Sequence, residues 1–365
     1  MHQHADKIKG GRPMFKKAIS VMLVLVMVTL VGCSAATTTA TTAAPAATTA
    51  AAAETTAAPA GGSEPYTIVV MPKLIGIPYF NRSQTGAEQA GKDLGVNVIY
   101  NGPSVGDAAQ QVQMIEDYIT QGVDAICVAP NDAAALTPVL QKAKDAGIKV
   151  LDWDTPAEKS VVELSVHQID DKELAQVYYD QLVEIAGTDS GNYAIITGGL
   201  SAANLNTWID LGAEYAKTKY PNLKLATEKI GSDESADIAY QKALDLIKTY
   251  PDLIGILGYS TPAPLGIAKA VQEKGLQDKI AVLGTAMPTD SKPYLQDGSL
   301  DASLLWDPAT LGYLTVYLAK AVLDGTPVTD GMDVPNVGKI VVSGKDVVMG
   351  PPAVFTKENV DNYPF

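Results

Sequence analysis

The fold is decided by residues 96–154, which read VNVIYNGPSVGDAAQQVQMIEDYITQGVDAICVAPNDAAALTPVLQKAKDAGIKVLDWD. Short β-branched runs alternate here with longer segments of helical spacing, and a glycine follows each predicted helix, as is common at helix C-termini. In order, the predicted elements are strand Val96–Tyr100, helix Ala108–Gln121, strand Ala125–Ala129, helix Ala133–Ala146 and strand Lys149–Asp152. Strands separated by helices of this length predict a parallel sheet with helices on both faces.

The same alternation extends along the chain in both directions. Before the quoted stretch we predict strand Thr67–Val70 and helix Gln84–Leu94. After it, a second series has strands near Glu163–Val166, Tyr193–Thr197, Lys224–Ile230, Leu253–Gly258 and Ile280–Gly284, and helices near Asp171–Ala186, Ala203–Lys219, Ser235–Tyr250 and Pro264–Lys274. The predicted fold class is therefore α/β, with two doubly wound parallel-sheet lobes. A cleft lies between such lobes, and ligands bind beyond the carboxyl ends of the strands.

Length and charge narrow the possible functions. The 365 residues fit roughly two domains of about 150 residues. The formal net charge is −14, and beyond residue 32 the remaining 22 basic and 40 acidic residues leave −18, with Arg82 as the only arginine. Nucleic-acid surfaces need clustered Lys and Arg, and phosphate or carboxylate sites commonly use arginine forks. We therefore expect no nucleic-acid partner.

Residues 1–63 are predicted to export and tether the protein. Lys16 and Lys17 precede an uncharged run of about 14 residues, shorter than the roughly 20 that span a membrane, which indicates a secretory signal at 1–32. The run ends in LVGC at 30–33, which resembles the lipobox of bacterial lipoproteins, where the cysteine carries lipid; the alternative is a plain signal peptide with an incidental Cys33. Residues 34–62 are almost wholly Ala, Thr and Pro and predict a disordered tether within segment 33–63. We expect an extracytoplasmic, lipid-anchored protein, with a Gram-positive cell surface favoured.

The chain lacks the usual signatures of catalysis and cofactor binding. Beyond residue 32 the only histidine is His167, and Cys127 lies in the apolar run AICVA, which predicts a buried structural thiol. No GxxxxGK[ST], GxGxxG or GxSxG motif occurs. We therefore expect no cofactor, no metal and no enzymatic activity. Hydrolysis by a pair of carboxylates is retained as an alternative, because Asp and Glu are plentiful.

Residues at the predicted strand ends of the first lobe suit a small polar ligand. Lys73 can donate to hydroxyls, and the adjacent Tyr79 and Phe80 can stack on the C–H face of a sugar, with core packing as the alternative for the two aromatics. After the fourth strand come Asp152 and Asp154, and strand alternation predicts that both point to the same side. Asp154 is the stronger candidate ligand because it lies further out; a helix cap or hinge ion pair is the alternative.

The second lobe supplies further candidates. Asn204 opens a helix after the strand that ends at Thr197, and its amide suits a hydroxyl group, although N-capping competes as its role. Thr261 follows another strand, and the pair Trp306 and Asp307 lies where a crossover between lobes is expected. An indole at such a place forms a ligand wall or simply packs.

These features resemble the type I periplasmic sugar-binding proteins, the substrate-binding lipoproteins of ABC importers, and in particular the branch with rhamnose-binding and autoinducer-2-binding members. The motifs that carry the resemblance are Lys73, Tyr79–Phe80, Gln121–Ile126, Lys149–Asp154, Tyr250–Leu253, Leu305–Asp307 and Gly350–Pro352. The resemblance implies two lobes joined by a multi-strand hinge with three crossovers. It assigns 64–154 and 308–330 to the first lobe, and 155–307 and 331–365 to the second.

The resemblance also implies a ligand class. In autoinducer-2 receptors a Lys after the first strand and an Asp after the fourth hold the ligand, and Lys73 and Asp154 fill those positions. Those receptors have Asp-Gln where this chain has Asn204-Leu205, and Leu205 cannot replace the amide. Rhamnose-type members match better around Asn204. We therefore expect a monomeric ABC-importer component that binds a small neutral sugar, rhamnose first, and contacts the importer's membrane subunits. An autoinducer-2 receptor, a sugar sensor and a carbohydrate enzyme are the alternatives.

Overall fold

The computed structural model describes residues 64–365, which form nine α-helices and sixteen strands. The helices are α1 (Pro78–Leu94), α2 (Ala108–Gln121), α3 (Ala133–Asp145), α4 (Asp171–Ala186), α5 (Ala203–Lys219), α6 (Ala236–Thr249), α7 (Ala263–Lys274), α8 (Pro288–Asp297) and α9 (Pro308–Leu323). The strands are β1 (Thr67–Met71), β2 (Asn97–Tyr100), β3 (Ala125–Val128), β4 (Lys149–Trp153), β5 (Leu164–His167), β6 (Ser190–Thr197), β7 (Asn222–Leu225), β8 (Ile230–Gly231), β9 (Leu253–Gly258), β10 (Ala281–Gly284), β11 (Ala302–Leu305), β12 (Asp333–Val334), β13 (Gly338–Lys339), β14 (Val341–Ser343), β15 (Asp346–Val348) and β16 (Ala353–Phe355). The predicted signal, Cys33 and the tether lie outside the described residues.

Two seven-stranded sheets carry the fold, and the predicted α/β class is confirmed. The first sheet has the order β14-β15-β5-β4-β3-β1-β2, and all its pairs are parallel except β14 with β15. Helices α1 and α9 pack together, and α9 also contacts β1, β3 and β4. This sheet with α1, α2, α3 and α9 is called the first lobe.

The second sheet has the order β16-β11-β10-β9-β6-β7, with β8 paired to β6 and only β16 antiparallel. Helices α4 to α8 contact its strands or one another. This sheet and these helices are called the second lobe. The central strands β3 and β10 are buried throughout and β9 at all but one residue, as the continuous apolar runs of a parallel sheet require.

The chain crosses between the lobes three times, but two crossings lie elsewhere than predicted. The strand expected near Glu163–Val166 as the start of the second series is β5, which pairs with β4 in the first sheet, so the first crossing is at 168–170 and not after Asp154. The crossing at 306–307 is where it was expected. The last moves from residue 331 to 349–352, because β15 pairs with β5 and only β16 joins the second sheet. Strand pairing between distant segments decides these positions, and local periodicity carries no information about it.

Helices α1 and α9 approach each other closely because a glycine lies on each side of their contact. A Cβ at Gly86 would overlap the carbonyl oxygen of Ala309, and a Cβ at Gly312 would overlap that of Ser83. The close approach matters for the site, since Tyr79 is the second residue of α1 and Trp306 lies two residues before the start of α9. No helix within residues 64–365 combines the length and the apolar character needed to cross a bilayer.

Candidate functional site

A cleft between the lobes gathers residues that follow the carboxyl ends of strands in both sheets. It is lined by Lys73, Ile77, Tyr79, Phe80, Asp154, Asn204, Leu205, Trp208, Glu234, Ser260, Thr261, Thr285, Leu305 and Trp306. Seven of the eight residues expected to bind ligand are therefore brought together. The free volume between these side chains is about 30 Å³, enough for one or two water molecules. A larger ligand requires the lobes or the side chains to move apart.

An ammonium, a carboxylate and an amide meet at the centre of the cleft. The Lys73 Nζ atom lies 3.5 Å from Asp154 Oδ2 and donates a 3.1 Å hydrogen bond to Asn204 Oδ1. Thr155 Oγ1 lies 3.0 Å from the same amide oxygen. Lys73, Asp154 and Asn204 are each at most 5% exposed. Because Asn204 belongs to the second lobe and the others to the first, this cluster joins the lobes.

Aromatic side chains form one wall of the cleft and are tied to the same carboxylate. The Tyr79 hydroxyl donates to Asp154 Oδ1 at 2.7 Å, and the indole nitrogen of Trp306 donates to the Tyr79 oxygen at 3.0 Å. The Tyr79 ring meets Phe80 and Trp306 edge-to-face, at centroid distances of 5.0 and 6.1 Å. Burial, reinforced by the neighbouring Asp154 charge, raises the pKa of Tyr79, so its hydroxyl stays a donor. Tyr79 and Trp306 thus combine packing with hydrogen bonding.

Asp152 and Asp154 do not share a role, contrary to the alternation argument. Asp154 has a φ of 61°, and this left-handed backbone ends the strand's alternation. Asp152 accepts hydrogen bonds from the Ala157 N–H and the Ser165 hydroxyl, away from the cleft-lining set. Asp154 therefore remains a candidate ligand residue, while Asp152 fastens β4 to β5 and to the loop between them.

The buried Asp152 carboxyl gives a test by pH. Burial raises its pKa to about 6, above the value of about 3.9 for an unfolded aspartate. Between about pH 4 and pH 6, Asp152 holds its proton more often in the folded protein than in the unfolded chain. The free energy of unfolding therefore falls as the pH rises through this range, by about 3 kcal/mol in all. Between pH 4 and pH 7 the free energy of unfolding of the wild type, measured by urea unfolding, should fall by about 2 kcal/mol more than that of Asp152→Asn. An identical pH dependence in both proteins would contradict the assignment, and the exposed Asp117→Asn is the control.

Asp307, unlike the other seven residues predicted to bind ligand, does not line the cleft. Its carboxylate accepts two hydrogen bonds from the Arg82 guanidinium, at 2.9 and 2.8 Å, and also caps α9 by accepting from the Ala309 N–H. Arg82 lies one helical turn after Tyr79 on α1, which places it beside the crossover. Asp307 therefore holds the segment that positions Trp306.

Two polar cleft residues were missed in the sequence analysis: Glu234, which follows β8, and Thr285, which directly follows β10. Leu205 and Trp208, on the first turns of α5, line the cleft beside Asn204. Both Glu234 and Thr285 follow strands, so their positions beyond strand ends were a signal in the sequence that could have identified them. Within residues 64–365, the buried hydroxyls of Ser260 and Thr285 have no hydrogen-bond partner, which is costly for buried polar groups.

Backbone strain is concentrated at the cleft. Five non-glycine residues among 64–365 have positive φ, and three of them, Asp154, Glu234 and Ser260, line the cleft. A non-glycine residue in such a conformation costs of order 1–3 kcal/mol, and such residues cluster at functional sites. The strained residues therefore lie in the same cleft as the buried hydroxyls of Ser260 and Thr285.

The remaining chemistry of the described residues is simple. Over 64–365, no group of three or more His, Cys, Asp and Glu side chains is arranged to hold a metal ion. Cys127 is fully buried and unpaired, as expected for a structural thiol, and burial raises its pKa. The cleft can therefore form hydrogen bonds from both lobes and contact apolar faces through its aromatic wall.

Comparison with known proteins gives one family match and several similar proteins. A family model described as a periplasmic binding protein domain matches residues 68–327. The ribose import binding protein of Bacillus subtilis is 25% identical over 327 residues, covering 88% of this chain and 97% of that protein. The D-allose-binding periplasmic protein of Escherichia coli is 25% identical over 258 residues, covering 68% of this chain and 80% of that protein.

Two solved structures of clostridial proteins are also similar. LsrB from Clostridium saccharobutylicum, in complex with AI-2, has a TM-score of 0.77 and 29% identity, covering 82% of this chain and all of that chain. An ABC transporter solute-binding protein from Clostridium phytofermentas, with bound L-rhamnose, has a TM-score of 0.77 and 28% identity, covering 82% and 98% of the two chains.

Proposed function

This chain belongs to the periplasmic binding protein family, with the fold of the type I sugar-binding proteins, and we propose from this that it delivers a small neutral sugar to an ABC importer. Its similar proteins are substrate-binding proteins for sugars, which supports the general role. The finer proposal is that the ligand is a deoxyhexose such as rhamnose, bound in the cleft without chemical change.

The observation that carries the proposal is the meeting of polar residues from both lobes. Lys73 and Asp154 belong to the first lobe, and Asn204 reaches them from the second. A ligand held by such a set contacts both lobes only when they are close together, so it binds the closed form more tightly and shifts the population toward it. The importer's membrane subunits would then recognise the closed form.

Each residue has a proposed role that follows from its chemistry. Lys73 donates to ligand oxygens, Asp154 accepts from neighbouring hydroxyls, and Asn204 can do both. Tyr79, Phe80 and Trp306 contact the C–H faces of the ring, and Thr261 contributes from the second lobe. Asp307, paired with Arg82, positions Trp306 without touching the ligand.

A neutral ligand suits the charges of the cleft. Its ionisable residues other than Tyr79 are Lys73, Asp154 and Glu234, which together carry one net negative charge when all are ionised. Arg82, the single arginine beyond residue 32, donates two hydrogen bonds from its guanidinium to the Asp307 carboxylate and is not available to a ligand. An anionic ligand would therefore find one ammonium opposed by two carboxylates.

Autoinducer-2 is the second candidate ligand, because Lys73 and Asp154 match the autoinducer pattern and LsrB in complex with AI-2 has a similar fold. The position after Asn204 argues against it, since Leu205 lines the cleft and offers no amide.

The proposal also includes export of the protein, anchoring to the membrane through a lipid on Cys33, and a monomeric state.

A thermal-shift panel tests the ligand class. The purified protein is heated with L-rhamnose, neutral hexoses and pentoses, and autoinducer-2. A ligand that binds only the folded protein adds about 2.7 kcal/mol at a hundredfold excess over its Kd, which raises the Tm by several degrees. We expect L-rhamnose to give the largest shift, with calorimetry to follow. Nanomolar autoinducer-2 binding with no sugar binding would reject the sugar proposal, and formation of a reaction product would indicate an enzyme.

A further inference from the structure

The loop between β8 and α6 presents a carboxylate to the cleft in an unusual way. Asp233 and Glu234 are consecutive residues with φ of 50° and 57°, and Ser235 then caps α6. Two consecutive left-handed residues that are not glycine are rare, because each places its Cβ close to the backbone. Nothing in the capping of α6 requires an acidic residue at 234, since the Ser235 hydroxyl supplies the cap.

The loop after β6, the strand that pairs with β8, leaves space for this carboxylate. A Cβ on Gly198 would overlap the Glu234 carboxylate, whereas a Cβ on the neighbouring Gly199 would meet no heavy atom within 4 Å. Within residues 64–365, Glu234 accepts a long hydrogen bond, 3.4 Å, from the Gly199 N–H, and the neighbouring Ser260 hydroxyl also favours its charged form and lowers its pKa. Glu234 is partly buried, and its two carboxylate oxygens can accept more hydrogen bonds than these two neighbours supply, so acceptor capacity remains for a ligand.

The groups that face Glu234 suit a ligand with hydroxyls. Burial raises the pKa of Glu234, and the Lys73 ammonium across the cleft opposes that rise while Asp154 adds to it. The Ser260 hydroxyl lies near Glu234, and Thr285 lines the same cleft; both residues are at most 6% exposed, and in the described part of the chain neither hydroxyl makes a hydrogen bond of ordinary geometry. The second-lobe wall therefore offers one carboxylate and two hydroxyls to the space opposite Lys73.

We propose that Glu234 is a specificity-determining residue, which accepts hydrogen bonds from ligand donor groups and excludes sugars that carry a carboxylate. The inference rests on the proposed function of the cleft and adds a second acid, contributed by the other lobe, to Asp154. Gly198 is a positioning residue, because its missing side chain allows the Glu234 carboxylate to reach this place.

Four proteins test the inference: the wild type, Glu234→Gln, Gly198→Ala and the control Gly199→Ala. Calorimetry uses L-rhamnose, D-galactose and D-glucose, the matched acids D-galacturonate and D-glucuronate, and the amine D-galactosamine. We expect Glu234→Gln and Gly198→Ala to bind the neutral sugars about tenfold more weakly or worse, the loss of one charge-assisted hydrogen bond. Gly199→Ala should match the wild type, and the wild type should bind neither acid. The Tm of Glu234→Gln without sugar should be no lower than that of the wild type.

The outcomes separate this inference from the proposed function. Neutral sugars that bind equally to the wild type, Glu234→Gln and Gly198→Ala overturn the role of Glu234 and leave the proposed function intact. Binding of D-galactosamine alone, lost in Glu234→Gln, would reject the neutral ligand and support Glu234 as the acceptor. A uronate bound as tightly as its neutral counterpart overturns the exclusion of acids. A large fall in the Tm of Glu234→Gln would instead assign the residue a structural role and reject the proposal.

Discussion

Replacing Asp154 with asparagine is expected to weaken sugar binding at least about a hundredfold and to lower the free energy of unfolding by about 3 kcal/mol. The stability effect arises because Lys73 and Asp154 are each at most 5% exposed, and breaking a buried ion pair on one side costs about 3–5 kcal/mol. The binding effect follows from the loss of charge-assisted hydrogen bonds, worth about 1.5–3 kcal/mol each. Urea unfolding and calorimetry with the panel's tightest sugar measure the two effects.

A second variant separates stability from binding. In the double variant Lys73→Met with Asp154→Asn, no unpaired ammonium is left in the cleft, so we expect much of the stability to return. Sugar binding should stay at least as weak as in the single variant, because both proposed contacts are gone. Asp117→Asn, at an exposed position, should change neither quantity. Wild-type affinity in Asp154→Asn would remove this residue from the proposed site.

Substituting Gly312 with alanine is expected to lower the free energy of unfolding by about 3 kcal/mol or more. The added Cβ would overlap the carbonyl oxygen of Ser83 on α1, and Gly86→Ala would overlap that of Ala309 on α9. Backbone atoms of two packed helices cannot turn away as a side chain can, so the helices must separate. Overpacking of this kind costs about 1–3 kcal/mol and occasionally more.

The sign of the glycine result is itself informative. In a helix without this contact, alanine is favoured over glycine by about 1 kcal/mol, so Gly312→Ala would stabilise the protein if α1 and α9 did not touch. Gly350→Ala is the control, since its Cβ would meet nothing within 4 Å. Thermal and urea unfolding check both variants. Any Gly312→Ala protein that folds should also bind sugar more weakly, because separation of α1 from α9 moves Tyr79 away from Trp306.

Much of the fold was accessible from local pattern. The alternation of β-branched runs and helical segments predicted α2 and α5 with the bounds that the structure has, and the α/β class follows from it. Helix periodicity and caps depend on residues three or four positions apart, so they can be recognised in the sequence without any tertiary information. Lys73, Asp154 and Asn204 were predicted to share a site because each follows a strand, and all three line one cleft.

The errors share a physical origin. Placement of β5 and β15 depends on pairing between residues about 180 positions apart, and the role of Asp307 depends on Arg82, 225 positions away. Glu234 lies in the cleft because two residues adopt left-handed backbone and because Gly198 leaves space for its carboxylate. None of these relations leaves a periodic trace in the chain.

The order of amino acids was thus sufficient for the class of fold, the acidic balance and the kind of residue at each strand end, since these depend on neighbours along the chain. Three-dimensional packing was needed to assign strands to sheets, to remove Asp307 from the cleft and to bring Glu234 into it. The two lobes meet through contacts between residues far apart in the chain, such as Lys73 with Asn204, 131 positions apart. Such contacts form only when the whole chain has folded.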